Sequence, residues 1–422
     1  MELKEARAMA AGLAERLAAE TVQLGSAAGR VLAESVCADR DMPGNPLSRW
    51  DGFALASADC EAASPGNPLI LPVARGEIVA GKIPEKARSG TCVRIMTGGV
   101  LPAGMDAVVP FEDVTPAERS VIFTGPLRPG AGVIQPGSEA RRKDILLREG
   151  DVLTPSRIAL AAAAGRKLLR VVRRPRVAIL ATGDELRESG RGDESVSIFC
   201  SNTHLLASLV RVSGGQPVEL PVAPDDPGVI YSRLEKVEAD LVITTGGMGR
   251  GSKDFISEVW KRLGLEIRFN GLNIIPGKGS ALATGNGSIF LGLPGNPGAV
   301  RIIYEEIGAP AIRSFLGLNF PSDFALEALA MRSMRKMEGF YRALDGSLEM
   351  RESFCAFSPG RTESTRRPNM ISSLRTNPAY ALLPPGNSPV TEGERVQVKI
   401  PDLALPSWAI LISGNAPNKH VV

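Results

Sequence analysis

Three short segments combine glycine, proline and acidic residues directly after aliphatic runs. They read "TGDE" at 182–185, "TGGMGRGSKD" at 245–254 and "LPGNP" at 293–297. Glycine lets the backbone approach a ligand closely, and the first turn of a following helix presents amide hydrogens that favour phosphate. Acidic side chains do not favour an anion themselves, but they can hold Mg²⁺, which bridges carboxylates to phosphate oxygens. The three segments therefore predict a site for a phosphorylated ligand and Mg²⁺.

The candidate residues form two sets. We expect the phosphorylated ligand to lie against the loops at Thr182, Gly183, Gly246, Gly247, Pro294 and Pro297. We expect Mg²⁺ at Asp184, Glu185 and Asp254, with Lys278 in "IIPGKGS" as a positive partner nearby in sequence. Each segment alone has a simpler interpretation as a tight connection, a helix cap or a rigid turn. Three such loops in one region favour the binding site.

The surrounding elements predict how these loops are positioned. From about residue 174, aliphatic runs alternate with helical patterns, which is typical of a mostly parallel, doubly wound α/β sheet. Ligands bind such sheets at the carboxyl ends of the strands, so the three loops should emerge at one edge. Residues 41–129 and the region from 321 onward read as β-rich, 1–36 as one or two helices, and "SALATGNGSIFLGL" as a hairpin.

Composition excludes several classes of protein. A chain of 422 residues is long enough for several domains. The net charge of +3, without a basic stripe interleaved with aromatics, argues against nucleic acid as a partner. No apolar run predicts a membrane span or a signal peptide, and the five scattered cysteines are typical of reduced thiols, so we expect a cytoplasmic protein. With two histidines in the chain, acids, Lys, Arg and backbone amides must carry any chemistry.

An ordered set of motifs resembles a known family, the molybdopterin molybdenumtransferases of the MoeA and gephyrin E-domain type. The resemblance covers almost the whole chain. Its motifs are "GRVLAESV" (29–36), "SRWDGFAL" (48–55), "VRIMTGGVLPAGMDAVVPFEDV" (93–114), "ATGDEL" (181–186), "TTGGMGRGSKDF" (244–255), "PGKG" (276–279) and "GLPGNP" (292–297). Each motif is moderately specific, whereas the ordered set is highly specific.

The resemblance implies a multidomain α/β plus β fold. A mixed linking domain would occupy 1–40 and 130–173, and a β-barrel-like insert would occupy 41–129. The doubly wound molybdopterin-binding α/β domain would occupy 174–320, and a C-terminal β-barrel would occupy 321–422.

The family is homodimeric, with the insert of one chain reaching the cleft of the other. Its reaction takes adenylylated molybdopterin and molybdate as substrates and, with Mg²⁺, releases AMP and places the metal on the dithiolene sulfurs. Other cofactor-synthesis proteins, such as the adenylyltransferase, and apo-molybdoenzymes would be partners.

Family roles can be assigned to positions that keep the motifs. Asp51 and Thr97 in the insert would reach the partner's cleft, although a turn residue and a strand end explain them as well. Glu185 and Asp254 would orient Mg²⁺ and the adenylyl phosphate, and Lys278 would contact molybdate or phosphate. The remaining assignments are Asp226, a family acid that helix capping explains equally well, Pro294 and Pro297 in the pterin loop, and Arg342 and Ser372 near the oxyanion, for which a solvated surface is the alternative.

Departures from the family pattern concentrate on the oxyanion side. Ile275 stands where the family usually has a lysine, Gly279 where it has a proline, and Ala299 where it has a serine. Losing a lysine and a serine could weaken molybdate binding a hundredfold or more, since a charged hydrogen bond contributes about 1.5–3 kcal/mol.

Two further functions therefore stand beside the transferase. One is a non-catalytic or tungstate-selective paralogue that binds molybdopterin or finished cofactor for storage, delivery or regulation. The other is a nucleotide-cleaving enzyme that shares only the α/β domain, against which the full-length match counts.

Overall fold

The computed structural model describes residues 1–188, 198–248, 255–318, 325–351, 354–360 and 379–401. The chain divides into two compact units, the first comprising Met1–Glu34, Glu149–Ile158 and Leu168–Val422. The second comprises Ser35–Arg148 and Ala159–Lys167. The four domain boundaries expected from the sequence stay a prediction. Within the described ranges, no helix is both long and apolar enough to cross a membrane.

The described residues contain seven α-helices, numbered in chain order. They are α1 (Leu3–Leu13), α2 (Pro155–Ala163), α3 (Ser201–Val212), α4 (Pro227–Leu234), α5 (Phe255–Arg262), α6 (Pro297–Ile303) and α7 (Ala309–Phe315). A π-helical turn, Tyr304–Gly308, joins α6 to α7. The helical segment is therefore continuous through Pro310, and its irregularity lies in the π-helical turn that precedes this proline.

The strands of the same residues are numbered likewise. The first eleven are β1 (Ala19–Gln23), β2 (Val36–Cys37), β3 (Leu47–Ser48), β4 (Gly52–Leu55), β5 (Leu69–Ile78), β6 (Cys92–Ile95), β7 (Ala107–Pro110), β8 (Thr115–Pro116), β9 (Ser120–Phe123), β10 (Val133–Ile134) and β11 (Ile145–Leu147). The next ten are β12 (Leu168–Val172), β13 (Arg176–Ala181), β14 (Leu186–Arg187), β15 (Ile198–Phe199), β16 (Gln216–Glu219), β17 (Leu241–Thr245), β18 (Glu266–Asn270), β19 (Ile274–Ile275), β20 (Ala281–Gly285) and β21 (Ser288–Leu293). The last five are β22 (Leu326–Ala330), β23 (Tyr341–Met350), β24 (Cys355–Pro359), β25 (Ala379–Leu383) and β26 (Arg395–Lys399).

A six-stranded sheet in the order β16-β13-β17-β21-β20-β18 forms the centre of the first unit. Its first four strands are parallel, and β20 and β18 are antiparallel to their neighbours. Strands β20 and β21 form the predicted hairpin, whose turn residues Asn286 and Gly287 have φ of 52° and 74°. Positive φ at both positions is the geometry that an Asn-Gly pair favours, because it matches the twist of the strands.

Helices cover both faces of this sheet. Val177 and Ile179 of β13 pack in one core with residues of α1, α3 and α6. Ala178 and Leu180 point to the opposite face, where the core includes residues of α4 and α5. Successive side chains of a strand alternate between faces, so a strand buried on both sides needs an unbroken aliphatic run. The doubly wound α/β arrangement predicted from the sequence is confirmed.

A closed barrel forms the C-terminal region. Strands β23, β24, β22, β26 and β25 follow one another, and the pairing of β25 with β23 closes the ring. Strand β19, which precedes the hairpin of the α/β region, pairs in parallel with the start of β23. The predicted C-terminal β-barrel is therefore confirmed, and one of its strands pairs directly with a segment of the α/β region.

The N-terminal region differs from its prediction. Helix α1 ends at Leu13, and residues expected to be helical instead form β1, which pairs antiparallel with β12 from Ala19 opposite Val172 to Gln23 opposite Leu168. The partner strand lies about 150 residues away in the sequence, so no local sequence pattern predicts this pairing. Tertiary context here overrides a weak helical propensity.

The second unit carries a six-stranded sheet of its own. The strand order is β7-β4-β6-β5-β9-β8, with β4 between two antiparallel neighbours. Gly52 begins β4 where a Cβ atom would lie 1.9 Å from the Val109 carbonyl oxygen, so a larger residue has no room. This packing fixes the main chain that follows Asp51.

A buried charge cluster joins α1, the π-helical turn and the barrel. Glu306, fully buried in the π-helical turn, contacts Arg7 of α1 and accepts a hydrogen bond from Tyr380 of β25. Lys399 of β26 lies 3.1 Å from the Glu306 carboxylate. Burial works to raise the pKa of Glu306, but the charges of Lys399 and Arg7 outweigh it and hold the pKa below its ordinary value. The cluster thus keeps one ionised carboxylate in the core.

The turn after β17 can form only with glycine. Gly246 has φ of 96°, its amide donates to the Leu293 carbonyl oxygen over 3.2 Å, and a Cβ atom there would lie 2.2 Å from the Thr182 carbonyl oxygen. The obstacle is main chain from the neighbouring loop, which no rotamer change removes. Gly246 therefore lets the loops after β13 and β17 touch.

Replacing Lys399 with methionine should lower the free energy of unfolding by about 3 kcal/mol, because the buried Glu306 carboxylate loses one of its two cations. Arg395 of the same strand offers a matched control, since its ion pair with Glu327 is largely exposed. Arg395→Met should change stability by less than about 1 kcal/mol. Chemical denaturation followed by circular dichroism measures both variants. Equal losses of stability in the two variants would show that the buried cluster stabilises the fold no more than an exposed ion pair does.

Gly246→Ala should destabilise the first unit by about 2–3 kcal/mol, since it combines a left-handed backbone with a main-chain clash. Gly295→Ala is the matched control, because a Cβ atom at that glycine would meet only an ordinary contact, 3.8 Å from Gly246 Cα. Thermal unfolding of the two variants gives the comparison. A Gly246→Ala protein as stable as Gly295→Ala would refute the close approach of the two loops.

Candidate functional site

A cleft lies at the carboxyl ends of β13, β17 and β21. Its volume is about 350 Å³, and we call it the sheet-edge cleft. The residues that line it come from the three predicted loops, from α3 and from the connection before α4: Thr182, Gly183, Glu185, Leu186, Asn202, Asp225, Thr245, Gly246, Gly247, Met248, Pro294 and Gly295. Six of the sequence-predicted site residues are among them, so the structure brings the three loops together at one edge.

Hydrogen bonds from Asn202 of α3 hold two of these loops in place. Its side-chain Nδ2 donates to Thr245 Oγ1 over 3.0 Å and to the Gly295 carbonyl oxygen over 2.8 Å. Thr245 Oγ1 in turn donates to the Pro294 carbonyl oxygen over 3.0 Å. The first loop joins them through the Thr182 amide, which donates to the Thr245 carbonyl oxygen over 2.9 Å. One connected network therefore fixes the main chain around the cleft.

The acids of the site separate into different places. Glu185 lines the sheet-edge cleft, and its Oε1 lies 2.8 Å from where a Cβ atom of Gly183 would be. Asp184 lines a neighbouring cavity with Arg187 and accepts a hydrogen bond over 3.1 Å from the amide of Asp225. Both residues lie in a tight turn, in which the Leu186 amide donates to the Gly183 carbonyl oxygen over 3.1 Å. The pattern "TGDEL" predicted both acids for one metal, but the structure places only Glu185 in the cleft.

Two predicted residues act as helix starts. Asp226 accepts a hydrogen bond over 2.9 Å from the Val229 amide and caps α4, the simpler of its two sequence interpretations. Pro297 is the first residue of α6, and the side chain of Asn296 accepts hydrogen bonds from the Gly298 and Ala299 amides. These two amides already donate hydrogen bonds to Asn296, so they are not available to bind a phosphate, contrary to the general expectation for a helix N-terminus.

Lys278 lies outside the lining of the cleft but close to it. Its Nζ atom stands 4.9 Å from the centroid of the Phe340 ring, a cation–π contact that holds the ammonium group. The next residue, Gly279, is so near the Met248 carbonyl oxygen that a Cβ atom would be 3.1 Å away. We call the segment with Lys278 and Gly279 the lysine loop. Because Met248 lines the cleft, this loop borders the cleft.

The barrel places Arg342 beside the lysine loop. Ile275 of β19 pairs in register with Arg342 of β23, and the Arg342 guanidinium donates to the Arg335 carbonyl oxygen over 2.7 Å. Registered neighbours on adjacent strands project to the same face. The position where the resembling family has a lysine thus neighbours a predicted oxyanion-binding arginine.

In the second unit, the structure brings Asp51 and Thr97 together. Asp51 Oδ1 accepts hydrogen bonds from both the amide and the hydroxyl of Thr97, each over 2.7 Å. These hydrogen bonds lower the pKa of the exposed Asp51 carboxyl below its ordinary value. The pair presents an ionised carboxylate on an exposed surface. Asp254 and Ser372, also predicted for the site, lie outside the described residues.

The sequence reasoning missed Asn202, Asp225 and Met248 as residues of the cleft. Asn202 stands in the polar segment "CSN", which opens a helix directly after a strand, and this position was a usable signal. Asp225 precedes the acid that caps α4, so the pair "DD" contained both a capping and a cleft residue. Nothing local distinguishes Met248 from a core methionine.

Comparison with known families gives two matches. Residues 1–165 match the MoeA N-terminal region (domain I and II), and residues 178–314 match a probable molybdopterin binding domain. A solved structure of the molybdopterin biosynthesis MoeA protein from Pyrococcus horikosii is similar with a TM-score of 0.83 and 26% identity. It covers 95% of this chain and 99% of that one.

Curated relatives extend over the same length. The molybdopterin molybdenumtransferase of Bacillus subtilis (strain 168) is 30% identical over 386 residues, which cover 90% of this chain and 89% of the relative. That of Nostoc sp. is 32% identical over 393 residues, covering 90% and 88%. These relatives do not favour a non-catalytic binding protein. The chain belongs to the molybdopterin molybdenumtransferases, a transferase family of molybdenum cofactor biosynthesis.

Proposed function

We propose that this chain transfers molybdenum from molybdate to adenylylated molybdopterin in the sheet-edge cleft, with release of AMP. The observation that supports it is the convergence of three loop main chains and the Glu185 carboxylate on one cavity of about 350 Å³. Gly246 and Gly247 line the cleft, and their lack of a side chain lets a phosphorylated ligand approach the main chain closely. The cavity lies where ligands of doubly wound sheets bind.

Mg²⁺ fits the acids of this cleft. Glu185 and Asp225 both line it, and Mg²⁺ commonly takes one or two carboxylates together with water and substrate phosphate. Within the described part of the chain, no group of three or more His, Cys, Asp or Glu side chains is arranged to hold a metal ion, so the substrate would have to complete the shell. When bound, Mg²⁺ would neutralise charge on the phosphate oxygens. Asp254 is proposed as a further acid of this set.

Lys278 and Arg342 would bind the oxyanion. Lys278 supplies a point charge and Arg342 a planar set of donors, both suited to molybdate. Lys278 lies on the loop after β19 and Arg342 lies on β23, so their relative placement depends on the pairing of these two strands. Ser372 is proposed to contribute a hydroxyl group to the same anion.

We also propose that the protein works as a homodimer in the cytoplasm. In this arrangement, the exposed Asp51–Thr97 pair would serve the cleft of the partner chain, where an ionised carboxylate could orient a bound cation or a water molecule. The adenylyltransferase of cofactor synthesis would supply the substrate, and apo-molybdoenzymes would accept the product. The domain division at 1–40 with 130–173, 41–129, 174–320 and 321–422 belongs to the same proposal.

Purified protein with adenylylated molybdopterin, Mg²⁺ and molybdate should release AMP, measured by chromatography, with tungstate assayed in parallel. Glu185→Gln should slow the release about 100-fold, because it removes the charge that orients the cation and phosphate while keeping the shape. Glu266→Gln, which changes an exposed ion-paired glutamate of the same sheet, is the control and should keep full activity. Pterin binding without AMP at any molybdate concentration would refute the transferase.

Ile275→Lys should lower the molybdate concentration needed for half-maximal activity about tenfold, since one charged hydrogen bond contributes about 1.5–3 kcal/mol. The new ammonium would stand beside Arg342, and an oxyanion between the two cations relieves their repulsion. Ile275→Leu keeps the bulk without the charge and should leave the molybdate dependence unchanged. An unchanged dependence in Ile275→Lys would mean that this position does not face the oxyanion.

A further inference from the structure

A second cavity lies in the second unit, between β5 and the segment that connects β5 to β6. Its volume is about 620 Å³, larger than that of the sheet-edge cleft, and we call it the bulge cavity. Residues 72–78 form one wall, and residues 84–88 of the connection form another. All of its lining residues belong to the second unit, so the cavity is complete within that unit.

A β-bulge opens this cavity. Val73 pairs with Cys92 and Glu77 pairs with Arg94, so four positions along β5 match two along β6. The extra residues leave the hydrogen-bonded ladder and bend the strand. Residues 74–76, which lie within this stretch, all line the cavity. The opening therefore follows from the register of two strands.

The floor of the bulge cavity is apolar. Val93 and Met105, each 8% exposed, belong to a core of the second unit, and Ala74, Ile78 and Ala87 pack against that core. All five residues also line the cavity. An apolar ligand group placed against them would be removed from water, which favours binding.

Three cations line the same cavity. Arg75, Lys86 and Arg88 are exposed, and none of their side chains forms a hydrogen bond or an ion pair within the described part of the chain. Two acidic residues also line the cavity, and one of them, Glu77, has its carboxylate 3.5 Å from Arg94 Nε. The cavity therefore keeps an excess of positive charge beside its apolar floor, a combination that attracts an anion with an apolar part.

We propose that the bulge cavity is a second small-molecule site, which binds an organic anion. The apolar body of the ligand lies against the floor, and its phosphate or carboxylate group is bound by Arg75, Lys86 and Arg88. Guanidinium groups match the paired oxygens of these anions, and the lysine adds a point charge. The volume of about 620 Å³ lies within the range of about 300–1,000 Å³ that is usual for small-molecule sites.

Calorimetric titration of the full chain with naphthyl phosphate tests this site without any turnover. Naphthol, which lacks the charge, and inorganic phosphate, which lacks the apolar body, are the comparison ligands. The protein should bind naphthyl phosphate about tenfold more tightly than either, because only this probe meets both the apolar floor and the cations.

The double variant Lys86→Met with Arg88→Met should bind naphthyl phosphate about tenfold more weakly, since it removes two charged contacts to the anion. The control is Lys82→Met with Arg119→Met, which removes two exposed cations of the same unit that do not line the cavity. It should change the affinity by less than about twofold, because salt screens exposed charges that do not touch the ligand. The two variants have the same net charge.

The sheet-edge cleft can also take a phosphate, so the measure is the affinity lost on substitution and not the total binding. An unchanged affinity in Lys86→Met with Arg88→Met, or an equal loss in the control, would overturn the inference. Equal affinities for naphthyl phosphate and inorganic phosphate would overturn it too, since the floor would then contribute nothing. If naphthyl phosphate does not bind, the cavity is left to a polypeptide or to solvent, and the inference fails. AMP release is measured separately, so none of these results decides the transferase.

Discussion

The site depends on one side-chain carboxamide, that of Asn202, which hydrogen-bonds to loops that have few side chains to stabilise their own main chain. The segments after β13, β17 and β21 are rich in glycine and proline, so they have few side chains with which to fix their own main chain. Asn202 donates hydrogen bonds to the Thr245 hydroxyl and the Gly295 carbonyl oxygen. The Thr245 hydroxyl in turn donates to the Pro294 carbonyl oxygen. Each bond contributes only about 1 kcal/mol net, but bonds in a chain polarise one another. These bonds therefore connect the main chain around the cleft where the loops have few side chains of their own.

A second constraint connects this edge to the barrel. Glu306 is held by charges from α1 and β26 and by a hydroxyl from β25, so the first helix, the π-helical turn and the barrel share one buried ion. The pairing of β19 with β23 then sets Ile275 beside Arg342. Those contacts fix the barrel against the α/β region, and Arg342 therefore has a defined position beside the segment that leads to Lys278.

The departures from the family pattern gain physical meaning in this setting. Ala299 is 2% exposed and its amide is already bonded to Asn296, so the methyl group packs where the family usually has a serine hydroxyl. Gly279 lies against the Met248 carbonyl oxygen, a contact that leaves little room for a larger residue without movement of the loop. Both positions lie next to loops that we propose to bind the substrate, and the hydrogen bonds that Asn202 donates to those loops are intact.

Local rules in the sequence determined the alternating strands of the α/β sheet, the Asn286–Gly287 hairpin and the capping of α4 by Asp226, because each acts within a few residues. The order of the motifs determined the family. Only the tertiary structure decided that Asn202 reaches residues 43 and 93 positions away, that Asp184 and Glu185 face different cavities, and that β1 is a strand. Those outcomes depend on which distant segment packs alongside, and neither residue spacing nor propensity carries that information.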